Sequence, residues 1–186
     1  MQQSTIFRAA LRLIREGRFA TVSLAEIAYH AHVTAATVKA LFETREKLLT
    51  ALGGYIYNEL NTIIRVALHS KASFDEKFFR LWDALYCYYT ANTDVAVFVD
   101  RCNHTEALRG FEKENRAMLI AFFSQSGLPD TGVTPEMMAT IFHQNIRVAA
   151  RNACTADGAM AGALARIIFE GLVNEHESSQ ESLEAA

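Results

Sequence analysis

The scarcity of proline is the feature that most constrains the fold of this chain. Only two of the 186 residues are proline, Pro129 and Pro135, and nine are glycine. Because proline breaks helices and glycine weakens them, most of the chain can form long uninterrupted helices. Hydrophobic residues make up 51% of the sequence, which is enough apolar surface for a sizeable core. The sequence therefore predicts an all-α protein.

Helix starts can be located from local capping patterns. Ser23 and Ser73 are each followed three residues later by glutamate, the pattern of a capping box. Thr34 and Thr44 are suitable N-caps, and Thr134 precedes a proline at a first helical position. Together with apolar residues at helical spacing, these signals predict about nine helices, at 4–16, 24–30, 35–42, 45–69, 74–91, 94–101, 106–125, 135–154 and 158–175.

Two of these predicted helices, 24–30 and 35–42, are short and are joined by a three-residue turn. This arrangement, after a longer first helix, is typical of a helix-turn-helix, although ordinary helical hairpins have the same pattern. The spacing predicts that Val38, Leu41 and Phe42 face inward from the second helix of the pair.

A series of positions in this region matches a known pattern without a gap. The matching residues are Ile6, Ala9, Ala10, Phe19, Ser23, Ile27, Ala28, Val33, Thr34, Thr37, Phe42, Glu46 and Leu48. Residues 6–52 thereby resemble the DNA-binding domain of the TetR family of bacterial transcriptional regulators. The resemblance implies a helix-turn-helix DNA-binding domain at 1–50 and a larger helical domain for effector binding and dimerisation at 51–177. The polar, acidic residues 178–186 are predicted to be a disordered tail.

The sequence departs from the family pattern at several positions. His32 stands where the family has the glycine of the turn, and Arg18 stands where it has an earlier glycine. Lys39, Ala40 and Leu41 replace larger residues of the recognition helix. A histidine tolerates a left-handed backbone better than a β-branched residue does, so the turn is expected to survive.

The charge distribution agrees with a DNA-binding N-terminal region. Residues 1–50 hold seven Lys/Arg and four Asp/Glu, whereas the whole chain has a net charge of −3. A basic head on an acidic body fits polyanion binding, although ordinary surface variation also produces such differences. The predicted DNA contacts are Ser23, Thr34, Ala35, Ala36, Thr37, Lys39, Arg45 and Lys47. Capping would by itself explain the hydroxyl residues, and helix propensity the alanines.

Aromatic residues are concentrated in the middle of the chain, where they form either a core or an apolar ligand pocket. The resemblance favours a pocket for a small, largely apolar effector. Its predicted residues are Trp82, Tyr86, Tyr89, Phe98, Asn115, Met118, Phe122, His143 and Arg147. The last two predicted helices are rich in alanine and glycine, and the resemblance implies that they form a homodimer, although packing within one chain is the alternative.

Several other classes of protein lack support. The sequence shows no secretory signal and no apolar run of membrane-spanning length. Cys87, Cys102 and Cys154 form no CxxC pair, so we expect reduced core thiols in a cytoplasmic protein. Cys102 and His104 lack further metal ligands at suitable spacing, and no catalytic constellation is evident, so neither a metal, a cofactor nor an enzymatic activity is expected.

The sequence thus predicts a transcriptional repressor that binds a palindromic DNA operator as a homodimer and is released by a small molecule. The alternative is a helical ligand-binding or interaction protein that has lost specific DNA binding.

Overall fold

The computed structural model describes residues 2–102, 105–125, 133–153 and 158–173. Within these ranges the chain forms nine α-helices and no strand, which confirms the predicted all-α fold. None of the described helices is long and apolar enough to cross a membrane. The helices are α1 (Gln2–Leu13), α2 (Leu24–His30), α3 (Ala35–Phe42), α4 (Arg45–Leu68), α5 (Phe74–Ala91), α6 (Thr93–Cys102), α7 (Glu106–Ser124), α8 (Pro135–Asn152) and α9 (Gly158–Val173). The predicted tail 178–186, His104 and Cys154 lie outside the described residues.

Capping side chains determine where several helices begin. Ser23 Oγ accepts a hydrogen bond from the backbone N–H of Glu26 at 3.2 Å. At the start of α5 the capping box is reciprocal, because Ser73 Oγ accepts from Glu76 N–H and the Glu76 carboxylate accepts from Ser73 N–H, both at 3.3 Å. Thr134 Oγ1 accepts from Met137 N–H at 3.3 Å. These bonds satisfy backbone donors that the first helical turn leaves without partners, and they confirm the predicted starts.

The chain divides into two compact units. Unit 1 contains Met1–Glu59 and Asn92–Lys113, and unit 2 contains Leu60–Ala91 and Glu114–Ala186. The division falls within α4 and within α7, so each of these helices contributes residues to both units. The functional boundary predicted at residue 50 is a different kind of division, and it stays a prediction.

In unit 1, the short helices α2 and α3 bury their apolar side chains together with those of α1. Ile27 and Val38 are fully buried, and Phe42 packs against Phe7 of α1 with 5.8 Å between the ring centroids. The expectation that Leu41 faces inward is wrong, because 51% of its surface is exposed. Successive helical residues are about 100° apart, so Val38 and Phe42 share one narrow face and Leu41 falls beside it.

A pair of glycines in α4 allows close packing in the same unit. A Cβ atom on Gly53 would overlap the side chain of Leu108, and one on Gly54 would lie 3.1 Å from Phe111 Cζ. Leu108 is itself buried and has little room to shift. The glycines do not interrupt α4, which is continuous through them; they are the positions where α7 approaches its backbone.

The core of unit 2 is aromatic. Phe78 of α5 contacts Phe142 of α8 with 5.1 Å between the ring centroids, and it also contacts Phe169 of α9 at 5.1 Å. Trp82 is fully buried beside the same Phe142 ring, at 5.6 Å. Most of the predicted aromatic cluster is therefore core. The expectation of core thiols is wrong for Cys87, which is exposed on α5 because it lies on the face opposite this core.

The glycine pair leads to a testable difference in stability. We expect Gly53→Ala to lower the free energy of unfolding by about 1–3 kcal/mol, because the added methyl overpacks a buried contact. Gly110→Ala is the matched control: Gly110 is also helical, and a Cβ there meets nothing within 4 Å. That variant should gain about 0.5–1 kcal/mol. Urea denaturation of both variants measures the difference, and equal stabilities would show that the close approach at Gly53 does not exist.

Candidate nucleic-acid interface and effector site

The turn between α2 and α3 is fixed by its backbone hydrogen bonds. Val33 N–H donates to the Ala28 carbonyl at 3.0 Å, and His32 N–H donates to the Tyr29 carbonyl at 3.1 Å. This pair of bonds is the Schellman motif that commonly ends a helix. His32 occupies its left-handed position with a φ of 54°. The motif explains why a glycine suits this position and why histidine, with its side chain exposed, can replace it.

Apart from Leu41 and Lys39, the solvent-facing side of α3 carries short side chains. Ala35, Ala36 and Ala40 are exposed, while Val38 on the opposite side is fully buried. Lys39 is exposed on the same side, and among the described residues no carboxylate lies within ion-pairing distance of it. This side of α3 therefore carries mainly short side chains and one cation that a polyanion can reach.

The predicted hydroxyl contacts also cap helices. Thr34 Oγ1 accepts from Thr37 N–H at 3.1 Å and lies 2.8 Å from Thr37 Oγ1. Ser23 caps α2 in the same way, as described above. Capping is therefore confirmed for Ser23 and Thr34. Contact with DNA stays a prediction for both, and for Thr37.

The two predicted cations beyond α3 are engaged within the protein. The Arg45 guanidinium donates to the Phe19 carbonyl, and its central carbon lies 5.4 Å above the Phe19 ring centroid. Arg45 therefore ties the segment between α1 and α2 to the start of α4. Lys47 Nζ pairs with Glu43 Oε2 at 2.5 Å, with both side chains largely exposed. Any phosphate contact by Lys47 must compete with this carboxylate, whereas Lys39 has no such competitor among the described residues.

Three of the predicted effector residues lie together in unit 2. Tyr89 Oη is 2.7 Å from His143 Nε2, and Arg147 Nη1 is 3.3 Å from His143 Nδ1. Since arginine can only donate, Nδ1 accepts and the ring proton lies on Nε2, which donates to the Tyr89 oxygen. Withdrawal of the ring from water, together with the adjacent Arg147 cation, lowers the pKa of His143 to about 3. At neutral pH His143 is therefore uncharged, and its two ring nitrogens form hydrogen bonds with the Tyr89 phenol and the Arg147 guanidinium.

The other predicted effector residues are more dispersed. Trp82 is fully buried, and no acceptor among the described residues reaches its Nε1–H. Asn115 is buried and donates to Asn61 Oδ1 at 3.1 Å. Tyr86 is half-buried on α5, and Phe98 is buried in unit 1 on α6. The structure thus groups Tyr89, His143 and Arg147 but does not place all nine residues in one cluster.

Met118 and Phe122 line a cavity of about 700 Å³ in unit 2. The other residues of its lining are Arg65, Val66, Leu68, His69, Lys77, Ala121 and Gln125. Sequence reasoning missed these seven because it followed aromatic residues. A usable signal was present in α7, where Met118, Ala121, Phe122 and Gln125 recur at helical spacing along one face.

The same helical arrangement occurs in solved structures of transcription regulators. A TetR-family regulator from Marinobacter aquaeolei VT8 superposes with a TM-score of 0.78 at 16% identity, over 91% of this chain and 94% of that one. A TetR-family regulator from Haemophilus influenzae RD gives a TM-score of 0.76 at 14% identity, over 91% and 94%. The chain has the TetR-family fold. A third structure with this fold is Bacillus subtilis FadR in complex with stearoyl-CoA, with a TM-score of 0.69 at 18% identity over 91% and 97%.

The likeness to the TetR-family fold is one of structure and not of close sequence. No protein-family model matches the sequence, and no curated protein matches it. The helix-turn-helix predicted from residues 6–52 corresponds to α2 and α3. The observed bounds of both helices coincide with those predicted from the sequence.

The left-handed turn residue provides a test of this local structure. We expect His32→Gly to raise the free energy of unfolding by about 1 kcal/mol, because glycine adopts positive φ without a Cβ clash. His32→Val should lower it by about 1–2 kcal/mol, since β-branched residues are strongly disfavoured there. Urea titrations followed by circular dichroism compare the three proteins. A valine variant as stable as the parent would show that His32 does not hold the left-handed conformation.

Proposed function

We propose that this protein is a transcriptional repressor that binds a palindromic operator as a homodimer and is released by a small molecule. The observation that carries this proposal is the helix-turn-helix with an exposed α3 face of short side chains around Lys39. Similarity of 91% of the chain to the fold of TetR-family regulators supports it.

The α3 surface is suited to the major groove although it carries little charge. Short side chains at Ala35 and Ala36 let the helix approach the base edges closely, and their methyl groups can contact thymine methyls. Most hydrogen bonds to DNA go to phosphates, and hydroxyls, backbone N–H groups and helix N-termini can supply them. The N-terminal ends of α2, α3 and α4 all lie in this part of the chain. Lys39 adds the charge that a phosphate or a guanine would recognise.

A homodimer is supported by exposed apolar side chains on α8 and α9. Met137 and Val148 are 50% and 47% exposed on α8, and Ile141, between them on the same side of the helix, is 37% exposed. Ile167 on α9 is 65% exposed, and it is flanked by the small residues Ala163 and Gly171 on the exposed side of its helix. Apolar surface of this kind is commonly covered by a partner, and small residues allow close helix packing. Two-fold symmetry would match two α3 helices to half-sites about 34 Å apart.

Release by an effector requires a connection between the two functions, and α4 is suited to provide it. This helix begins three residues after α3 ends, and its last turn lines the cavity of unit 2. Its 24 residues form a rod about 36 Å long. An effector that binds the DNA-free state more tightly would displace α4 and weaken DNA binding, and DNA would weaken effector binding equally. Bacillus subtilis FadR, which has this fold, was solved with stearoyl-CoA, and this supports a small-molecule effector.

Selection of fragments from random DNA at low salt is the decisive experiment for DNA binding. The full chain should enrich a palindromic sequence with half-sites about one helical turn apart. A folded protein that enriches no sequence would instead be the helical ligand-binding protein that has lost its DNA-binding function.

Lys39 is expected to carry a measurable part of the affinity for that operator. Lys39→Ala should weaken operator binding and reduce the salt slope by about 1 per subunit if the amine contacts a phosphate. Lys113→Ala, which removes an exposed lysine from α7, is the matched control and should bind as the parent does. Gel-shift titrations at several salt concentrations measure both quantities. Unchanged affinity and slope in Lys39→Ala would remove Lys39 from the interface.

The dimer surface can be tested without DNA. Ile167→Glu places a charge in the proposed apolar interface and should convert the dimer to a monomer in sedimentation velocity experiments. Leu41→Glu introduces the same charge at an exposed apolar residue on α3 and should remain dimeric. Both variants should keep the helical circular-dichroism spectrum of the parent. A dimeric Ile167→Glu protein would show that α9 does not form the interface.

A further inference from the structure

The cavity of unit 2 is a pocket open to solvent, with an apolar wall on which Val66 is 72% exposed and with basic side chains. Its apolar residues are Val66 and Leu68 from α4 and Met118, Ala121 and Phe122 from α7. Its volume of about 700 Å³ lies within the range of small-molecule sites in proteins. The Phe122 ring is held in place by stacking on Phe74, with 4.8 Å between the ring centroids. This part of the apolar wall is thus packed against the aromatic core.

Basic side chains line this cavity together with the apolar ones. Arg65 and His69 are one helical turn apart at the end of α4, so they are neighbours on one face, and Lys77 comes from the first turn of α5. The Arg65 Nε–H donates to the carbonyl of Asn61 at 3.2 Å, which orients the guanidinium. None of the described lining residues is Asp or Glu, and no ion pair within the described structure involves Arg65, His69 or Lys77.

This combination of surfaces selects a particular kind of molecule. Cations without carboxylate partners favour an anionic group, and arginine with lysine offers several strong donors to a carboxylate or a phosphate. The apolar wall favours a hydrocarbon portion attached to that group, because its burial removes apolar surface from water. A neutral apolar ligand would leave the cations unused, and a cationic ligand would be repelled by them.

We propose that this cavity binds an amphiphile with an apolar chain and one anionic head group, which is held by Arg65 and Lys77. The inference rests on the proposed function, since it gives the chemical class of the effector. The sequence predicted a largely apolar effector, and the proposal adds an anionic head group to it.

Four probes with the same ten-carbon chain test this proposal: decanoate, decyl phosphate, 1-decanol and decylammonium. Titration calorimetry on the full chain, at concentrations that avoid micelles, should show that one or both anions bind about tenfold more tightly than decanol, the change expected from one charge-assisted hydrogen bond. Decylammonium should bind more weakly than decanol. The two anions distinguish a carboxylate from a phosphate head group. Equal affinities for decanoate, decyl phosphate and decanol would overturn the proposal.

Variants locate the binding in the cavity. Arg65→Gln combined with Lys77→Gln should remove the preference for anions while decanol binds as before. The matched control combines Lys113→Gln with Arg116→Gln, which removes two exposed cations outside the cavity. Ala121→Trp should occupy part of the cavity and weaken every probe, whereas Ala117→Trp, on an exposed position of α7 outside the lining, should not. An undiminished preference for anions in the Arg65/Lys77 variant would refute the assigned head-group site.

A parallel gel shift on the selected operator separates this inference from the proposed function. If an anionic probe binds with the expected charge preference but leaves operator affinity unchanged, the cavity assignment stands and the effector part of the proposed function fails. If neither anion binds while a ligand of another class releases the operator, the proposed function stands and the assigned ligand class is wrong.

Discussion

The exposed face of α3 depends on the burial of a few side chains behind two very short helices. Helices α2 and α3 have seven and eight residues, which is too short for either to persist alone in water. They exist because Ile27, Val38 and Phe42 are buried against the rest of unit 1 and because Ser23 and Thr34 cap their first turns. The exposed face of α3 is therefore a consequence of its buried face.

Several basic side chains near this surface interact with other groups of the protein. Arg45 binds a backbone carbonyl, Lys47 pairs with Glu43, and Arg18 pairs with Glu26. These contacts organise the connections between helices, and they leave Lys39 as the cation of α3. The proposed binding of DNA by such a surface would depend on close approach of small side chains and on backbone donors more than on net charge. The modest charge of the N-terminal region is then compatible with its proposed role.

Helix α4 contributes residues to both compact units. It begins directly after the helix-turn-helix, and in its middle the two glycines admit side chains of α7. In its last turn Arg65, Val66 and Leu68 line the cavity. Helix α7 has a similar distribution, with Leu108 at the glycines and Phe122 at the cavity. Two continuous helices therefore contribute residues to both units, as the proposed release by an effector requires.

The sequence by itself determined the helices and most of their ends, because capping at Ser23, Ser73 and Thr134 is a matter of a few adjacent residues. The resemblance to the TetR family also indicated the left-handed position of His32, because that family has a glycine in this turn. Tertiary structure alone decided which face of each helix is covered. Periodicity groups Val38, Leu41 and Phe42 but does not show that Leu41 is left outside, and it places Cys87 on a helix without showing that it is exposed. The cavity brings Arg65, Lys77 and Phe122 together from three helices, and only packing over long separations in sequence creates such a site.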